Sequence, residues 1–283
     1  MLESLIRIFT NRVLSKFGMT IVQSHPLEKR GVFSHFDEEN ILKGLVEELG
    51  VTRFYVDIGA SDGVSNSNTV RLAINGWEGV CFEYDKKKVA KMVYAYKELA
   101  QVSVCCAKIT PLNVCSFLES YGVPQKFGVL NLDIDGYDYF VLEALLARFE
   151  PCIIVAEVNE RIPPPLEFTV LFDPSYFWDT SRFFGQSICK LEKLCKKYQY
   201  AIVALEYNNA FLISPQFGRK GLSAHEAYEK GYRLRADRKQ KYPLNVNMED
   251  LLSMNPEDAI RFLKTYFAKY DGKYSLSFSS DSG

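Results

Sequence analysis

Apolar and polar positions change period several times along the chain, and the changes divide it into elements. Within 37–49, Ile41, Leu42, Leu45, Val46 and Leu49 fall at helical spacing, and Gly50 stops the run. Short β-branched and aromatic runs then recur at 54–58, 77–83, 102–106, 127–133 and 151–157. Helix-patterned stretches lie between them at 69–75, 86–99, 112–121 and 137–149, the third opened by Pro111. Buried-strand runs alternating with helices of about 12 residues predict an α/β fold with a doubly wound, mostly parallel sheet. Residues 187–198 continue as helix, and the runs 200–206 and 210–214 flank Tyr207-Asn208-Asn209, which predicts an antiparallel hairpin.

The flanks read differently. Residues 1–17 place Leu2, Leu5, Ile6, Ile8, Phe9, Val13, Leu14 and Phe17 near helical spacing, with Arg7, Arg12 and Lys16 among them. Such a helix either packs on the domain or lies on a membrane surface or a partner. Residues 159–185 lose all periodicity and hold Phe168, Phe172, Tyr176, Phe177, Trp178, Phe183 and Phe184. A stretch of that length predicts a lid or insertion, its aromatics either touching substrate or packing the loop down. Residues 219–241 interleave Lys and Arg with Tyr228 and Tyr232, but Glu226, Glu229 and Asp237 alternate with them, which favours a solvated helical face over a nucleic-acid surface. Residues 248–270 predict two short helices, the second opened by Asn255-Pro256, and the Ser-rich end at 275–283 is expected to fray. The expected organisation is an N-terminal helical segment at 1–50, a core at 51–215 with an insertion at 159–185, and a C-terminal helical appendage at 216–283.

Composition narrows the classes. The chain has 283 residues, enough for one large α/β domain with appendages or for two small domains, and 47% hydrophobic and 14% aromatic residues suit a well-cored protein. A net charge of −1 gives no bulk attraction to nucleic acid. The seven Cys include no pair at metal-finger spacing, and no secretory signal is visible, so a reduced, cytoplasmic setting is expected. No apolar run approaches the roughly 20 residues of a membrane span.

Candidate chemistry gathers where the strand runs end. The first ends in Asp57-Ile-Gly59-Ala60-Ser61-Asp62-Gly63, a strand, a glycine turn and the approach to a helix. The spacing Asp57-x-Gly59-x-x-x-Gly63 is neither Gly-x-Gly-x-x-Gly nor a phosphate loop, since no Gly-Lys-Ser/Thr follows. Pyrophosphate wants bare amides at a helix start; an acid there suits a cationic or amine-bearing ligand. Gly59 would allow a tight turn and close approach to a ligand, and Gly63 would let the helix pack on the strand; the alternative is an ordinary corner. The second run ends in Glu83, where a carboxylate can take both hydroxyls of a ribose.

Together these features resemble the first two motifs of class I S-adenosylmethionine-dependent methyltransferases. The stretch Leu130-Asn-Leu-Asp-Ile-Asp-Gly-Tyr-Asp-Tyr-Phe-Val-Leu-Glu-Ala-Leu145 resembles the Lys-x-Asp-x-Glu-Gly-x-Glu-x-x-x-Leu signature of the FkbM type, with Asn131, Asp135 and Asp138 departing from it. The resemblance implies the Rossmann-like fold of that class, whose sheet closes with a reversed strand, and methyl transfer to an oxygen of a small polar acceptor such as a sugar in glycan or natural-product assembly. It implies cofactor contacts from Asp57, Gly59, Ala60, Ser61, Gly63, Glu83, Tyr84, Lys108 and Asp133, substrate contacts from Asp135, Tyr137, Asp138, Glu157 and Asn159, and proton acceptance by Asp133 or Asp135. Leu132-Asp-Ile-Asp135 also resembles the Val-Asp-Ala-Asp run of cation-dependent O-methyltransferases, which implies Mg²⁺ on Asp133, Glu157 and Asn159. The alternative is that these acids bind the methionine amine and acceptor hydroxyls directly. Of the three His, His25, His35 and His225, the last two offer other bases if they fold over the site, and each is more simply read as a surface residue. Rival readings are an N- or carboxyl-methyltransferase and a binding module that kept the fold.

Overall fold

A computed structural model of the protein describes residue 27 and residues 31–278. The predicted helix at 1–17, and His25, lie outside the described residues. The first described helix, α1 (Glu38–Leu49), carries Glu38 and Glu39 in its first turn and ends at Gly50, whose φ of 59° lets its amide close on the Val46 carbonyl.

Five strands follow with helices between them: β1 (Phe54–Ile58), α2 (Val70–Ile74), β2 (Glu78–Glu83), α3 (Lys86–Ala95), β3 (Val102–Cys106), α4 (Val114–Ser120), β4 (Lys126–Leu132), α5 (Asp138–Leu146) and β5 (Glu150–Glu157). These strands are parallel wherever they pair. After β6 (Leu166–Val170) and α6 (Ile188–Tyr198), the hairpin β7 (Ala201–Glu206) and β8 (Asn209–Ile213) joins the sheet antiparallel, β8 lying against β5. The order is β3-β2-β1-β4-β5-β8-β7. This is a Rossmann-like sheet closed by a reversed strand, as the sequence predicts. The order reverses between β1 and β4, and that crevice is where open α/β sheets take ligands.

Both faces of the sheet are covered, which explains the nearly continuous apolar strand runs. Val56, Ile58, Leu130, Leu132 and Ile154 point to one face. Tyr55, Val129, Ile153 and Val155 point to the other. Several helices are shorter than predicted; α3 ends at Ala95 because Tyr96 leaves the helical conformation and turns its hydroxyl back to the Gly63 carbonyl.

The insertion and the start of the Ser-rich end correct two expectations; residues 279–283 lie outside the described residues. Residues 159–185 contain β6, and 274–278 form β9 (Tyr274–Phe278), which pairs antiparallel with it. Neither strand was readable because each finds its partner about a hundred residues away, with Phe168 opposite Leu276. Phe168 and Phe183 pack with Leu263 and Phe267 from the C-terminal segment in a third core, so these two aromatics hold the insertion down. In the basic segment, Tyr228 and Tyr232 are buried, while Arg233, Arg235 and Arg238 pair with Glu229, Glu206 and Glu249. Of these arginines only Arg233 is exposed; Arg235 and Arg238 are partly buried on their partners, so the segment forms the expected solvated face only in part, and its interleaved tyrosines are core.

Candidate active site

A cavity of about 310 Å³ opens at the carboxyl ends of β1, β2 and β4. Gly59 and Ala60 begin its floor, both amides donating to the Phe82 carbonyl at 2.9 and 3.0 Å. Gly59 has a φ of +90°, and a Cβ there would overlap the Asp133 carbonyl. The glycine therefore lets β1 and β4 close on each other beneath the site. Gly63 does not line the cavity. Its missing Cβ makes room for Met92 and Tyr96, so it serves the packing of α3.

Two acids stand at the inner end. Asp57 is buried; its Oδ2 accepts from Thr69 Oγ1 at 2.6 Å and its Oδ1 from Asn131 Nδ2 at 2.8 Å. Asn131 in turn accepts from Asn68 Nδ2 at 3.0 Å. Burial pushes the Asp57 carboxyl up to about 6, against the pull of those hydrogen bonds. Glu83 accepts the Ser61 amide on Oε2 at 3.0 Å and the Asp85 amide on Oε1 at 2.7 Å. A carboxylate has about four lone-pair sites, so one on each oxygen remains for a diol. Asn68, Thr69 and Asn131 are additions to the expected set. Asn131 stands out in sequence only as a departure from the signature, and Asn68 and Thr69 only as polar residues ahead of a short helix.

The third group is an acid cluster. Asp133, Asp135 and Glu157 bring carboxylate oxygens within 4.8 Å of one another. Asp135 sits at a φ of 52°, left-handed but tolerated by aspartate. Asp138 holds it there: its Oδ1 accepts the Ile134 amide and its Oδ2 the Gly136 amide, both at 2.9 Å. Asp138 is fully buried in this brace and does not line the cavity, which corrects its assignment as a substrate contact. Burial, then repulsion from Asp138, pushes Asp135 up to about 7. Burial and their acid neighbours hold Asp133 and Glu157 well above the usual carboxylate range. Glu157 Oε1 accepts Asn208 Nδ2 at 3.0 Å, while Oε2 is buried with no donor. Carboxyls gathered this way must share protons or take a cation.

Asn159 departs from the expected ligand set. Its amide nitrogen donates to the Arg182 and Phe184 carbonyls at 3.0 and 3.1 Å, so it fastens the insertion. The residues that fit a divalent cation are Asp133, Asp135 and Glu157.

The insertion roofs the cavity with Tyr176, Phe177 and Trp178. Lys108 lines the cavity, but its ammonium donates to the Pro174 and Tyr176 carbonyls at 2.8 and 2.6 Å and lies 3.9 Å over the Phe177 ring. It therefore clasps the roof. Tyr84 stands exposed at the mouth against Phe177, and Tyr137 lines the wall with its hydroxyl on the Ile109 carbonyl. His35 stacks on Phe36 and His225 sits on α7 (Ala224–Tyr228), and neither lines the cavity.

No protein-family model matches the chain, and no curated protein matches it in sequence. Solved structures do. A candidate O-methyltransferase from Klebsiella pneumoniae is 13% identical, covers 72% of this chain and 96% of its own, and superposes with a TM-score of 0.44. An O-methyltransferase from Bacillus cereus in complex with SAH is 15% identical, over 72% and 95% of the two chains, at 0.42. The N-terminal domain of EvdMO1, solved in the presence of SAH and D-fucose, is 11% identical, over 73% and 94%, at 0.43. The strand order carries the fold assignment.

Proposed function

We propose that this protein is an S-adenosylmethionine-dependent methyltransferase of the FkbM type. It methylates an oxygen of a small polar acceptor, such as a sugar in glycan or natural-product assembly, in the cytoplasm. The observation that supports this most is the set of carboxylates Asp57, Glu83, Asp133 and Asp135 around one cavity at the switch point of the sheet. A site so acidic calls for a cationic ligand, and a sulfonium beside an ammonium is one. We divide the chain at 50 and 215 as expected from sequence, with the insertion 159–185 as the roof.

When bound, S-adenosylmethionine supplies an electrophilic methyl group. Glu83 would hold the ribose diol on its free lone pairs, and Asp57, with Asn131 and Asn68 beside it, would hold the amino group. Transfer is an in-line displacement, so holding the acceptor oxygen in line supplies much of the rate. Asp135, near 7, would accept the proton that the acceptor hydroxyl gives up as its oxygen takes the methyl group from sulfur. A divalent cation held by Asp133, Asp135 and Glu157 would be the alternative to that base: it would lower the acceptor hydroxyl's pKa, with Asp135 then a ligand. The orphaned Oε2 of Glu157 supports that fit. Among the described residues no helix is long and apolar enough to cross a membrane.

Thermal unfolding with and without S-adenosylhomocysteine tests the reading. Ligand at about 100 times its dissociation constant adds about 2.7 kcal/mol, roughly 5–10 °C for a domain of this size. Asp57→Ala should lose that shift while its unliganded melt stays cooperative. No shift of the wild-type protein at millimolar ligand would overturn the proposal.

A further inference from the structure

A second cavity, of about 570 Å³, lies on the other side of the roof, between the insertion and the turn before β9. Its volume is within the range of ligand pockets, about 300–1,000 Å³. The two cavities share Tyr176 and Phe177, so two side chains separate them. Those side chains are held very differently. Tyr176 is fixed, with its hydroxyl 3.0 Å from the Asp135 carbonyl and 3.1 Å from that of Phe183, and its ring against Gly136. Phe177 is 59% exposed and touches only the Tyr84 ring and the Lys108 ammonium among the aromatic and cation contacts of the described residues. A ring held that way can swing; Tyr176 cannot without giving up buried hydrogen bonds.

The lining of the second cavity specifies an occupant. Flat rings come from Phe172, Phe177 and Tyr270. Asp179 is already committed to Lys269 and Tyr270, at 2.8 and 2.6 Å. Asp173 gives Oδ1 to the amide and hydroxyl of Ser175, leaving Oδ2 without a hydrogen bond among the described residues. Lys273 lines the same space, and its ammonium has no hydrogen bond there. One open acceptor, one open donor, aromatic faces and nearly cancelling charge suit a neutral ring carrying hydroxyls. Hydroxyls both donate and accept, and the C–H faces of such a ring lie on aromatic carbon. An alkyl tail would lie against Asp173 and Lys273, which both reach solvent, and use neither of them.

We propose that the second cavity is the distal half of the acceptor site, that it takes a neutral polyhydroxylated ring, and that Phe177 is the specificity residue over which the acceptor passes to bring its reacting hydroxyl to Asp133 and Asp135. The acceptor is then at least two rings long. The inference rests on the methyltransferase reading for what happens to that hydroxyl, and the test separates the two.

Saturation-transfer NMR on the protein saturated with S-adenosylhomocysteine, using neutral hexose disaccharides and their parent monosaccharides as probes, gives a direct reading. Disaccharides should bind in preference to monosaccharides. Ser175→Trp, which fills only the second cavity, should abolish disaccharide binding. Asp173→Ala and Lys273→Ala should each weaken it by about tenfold, the loss of one good contact. All three variants should keep the homocysteine-ligand melting shift. The two Ala variants keep the question open to refutation if the Trp variant does not fold. Disaccharide binding untouched by all three, or no saccharide signal from wild-type protein that does bind the nucleoside, would overturn the proposal. A protein that binds disaccharide in the second cavity but never S-adenosylhomocysteine would instead overturn the methyltransferase reading.

Discussion

Asp135 carries two opposed demands. Its carboxyl titrates near 3.8 in the unfolded chain and about 7 in the folded one. Between those values the native protein holds a proton that the unfolded chain has lost. Stability is therefore fullest below the window and falls as pH rises through it. Asp135→Asn should flatten that decline, raise the melting temperature at pH 7.5, and abolish methyl transfer. Melts of both proteins from pH 4 to 8 decide it; parallel curves would mean that Asp135 does not govern the slope. Asp57, Glu83 and Asp133 are legible in the sequence because each stands at or next to the end of a strand run, and strand ends share one edge. Asn159 follows the same rule but was misread. Its amide is claimed by the carbonyls of Arg182 and Phe184, and no local pattern announces where that loop returns.

At the scale of elements, the turn from β4 into α5 shows how a motif can be functional without every residue touching ligand. Asp138 fixes the two amides that flank Asp135, and Gly136 leaves the space that the Tyr176 ring fills. Asp138→Ala should cost about 3–5 kcal/mol, since each hydrogen bond to a buried charged group is worth about 1.5–3 kcal/mol. It should also weaken acceptor use more than binding of S-adenosylhomocysteine. Urea unfolding gives the first number and calorimetry the second; an undisturbed unfolding midpoint would show that the brace is unnecessary. Strands and helices of the core were readable because each carries its own period. The β6–β9 pair was not, because five-residue strands acquire meaning only from each other.

Across the whole molecule, the C-terminal segment reaches the acid cluster through one relay. Tyr242 donates to Asn208 Oδ1 at 2.8 Å, and Asn208 donates to Glu157. Asn209, next in the same hairpin turn, donates to Glu38 of α1 at 3.1 Å. Asn208→Ala would remove the amide that Glu157 Oε1 accepts, and should cost about 1–3 kcal/mol and reduce Mn²⁺ affinity. Tyr242→Phe should do the same more weakly, by about 1 kcal/mol. Titration of chelator-treated protein with Mn²⁺, followed by electron paramagnetic resonance, reads the affinity. Equal affinities in wild type and both variants would disconnect the relay from the cluster.

The pairing of β6 with β9 also sets an order of assembly. At elongation rates of about 5–20 residues per second, β6 leaves the ribosome about 5–20 s before its partner. In that interval the core sheet can close, but β6 presents an unpaired edge, open to neighbouring chains. The insertion lacks Tyr270, which stacks on Phe183, and the Lys273 carbonyl, which receives the Leu171 amide. The nascent protein thus has its acids in place before it has a roof, and becomes competent only when its last described strand arrives.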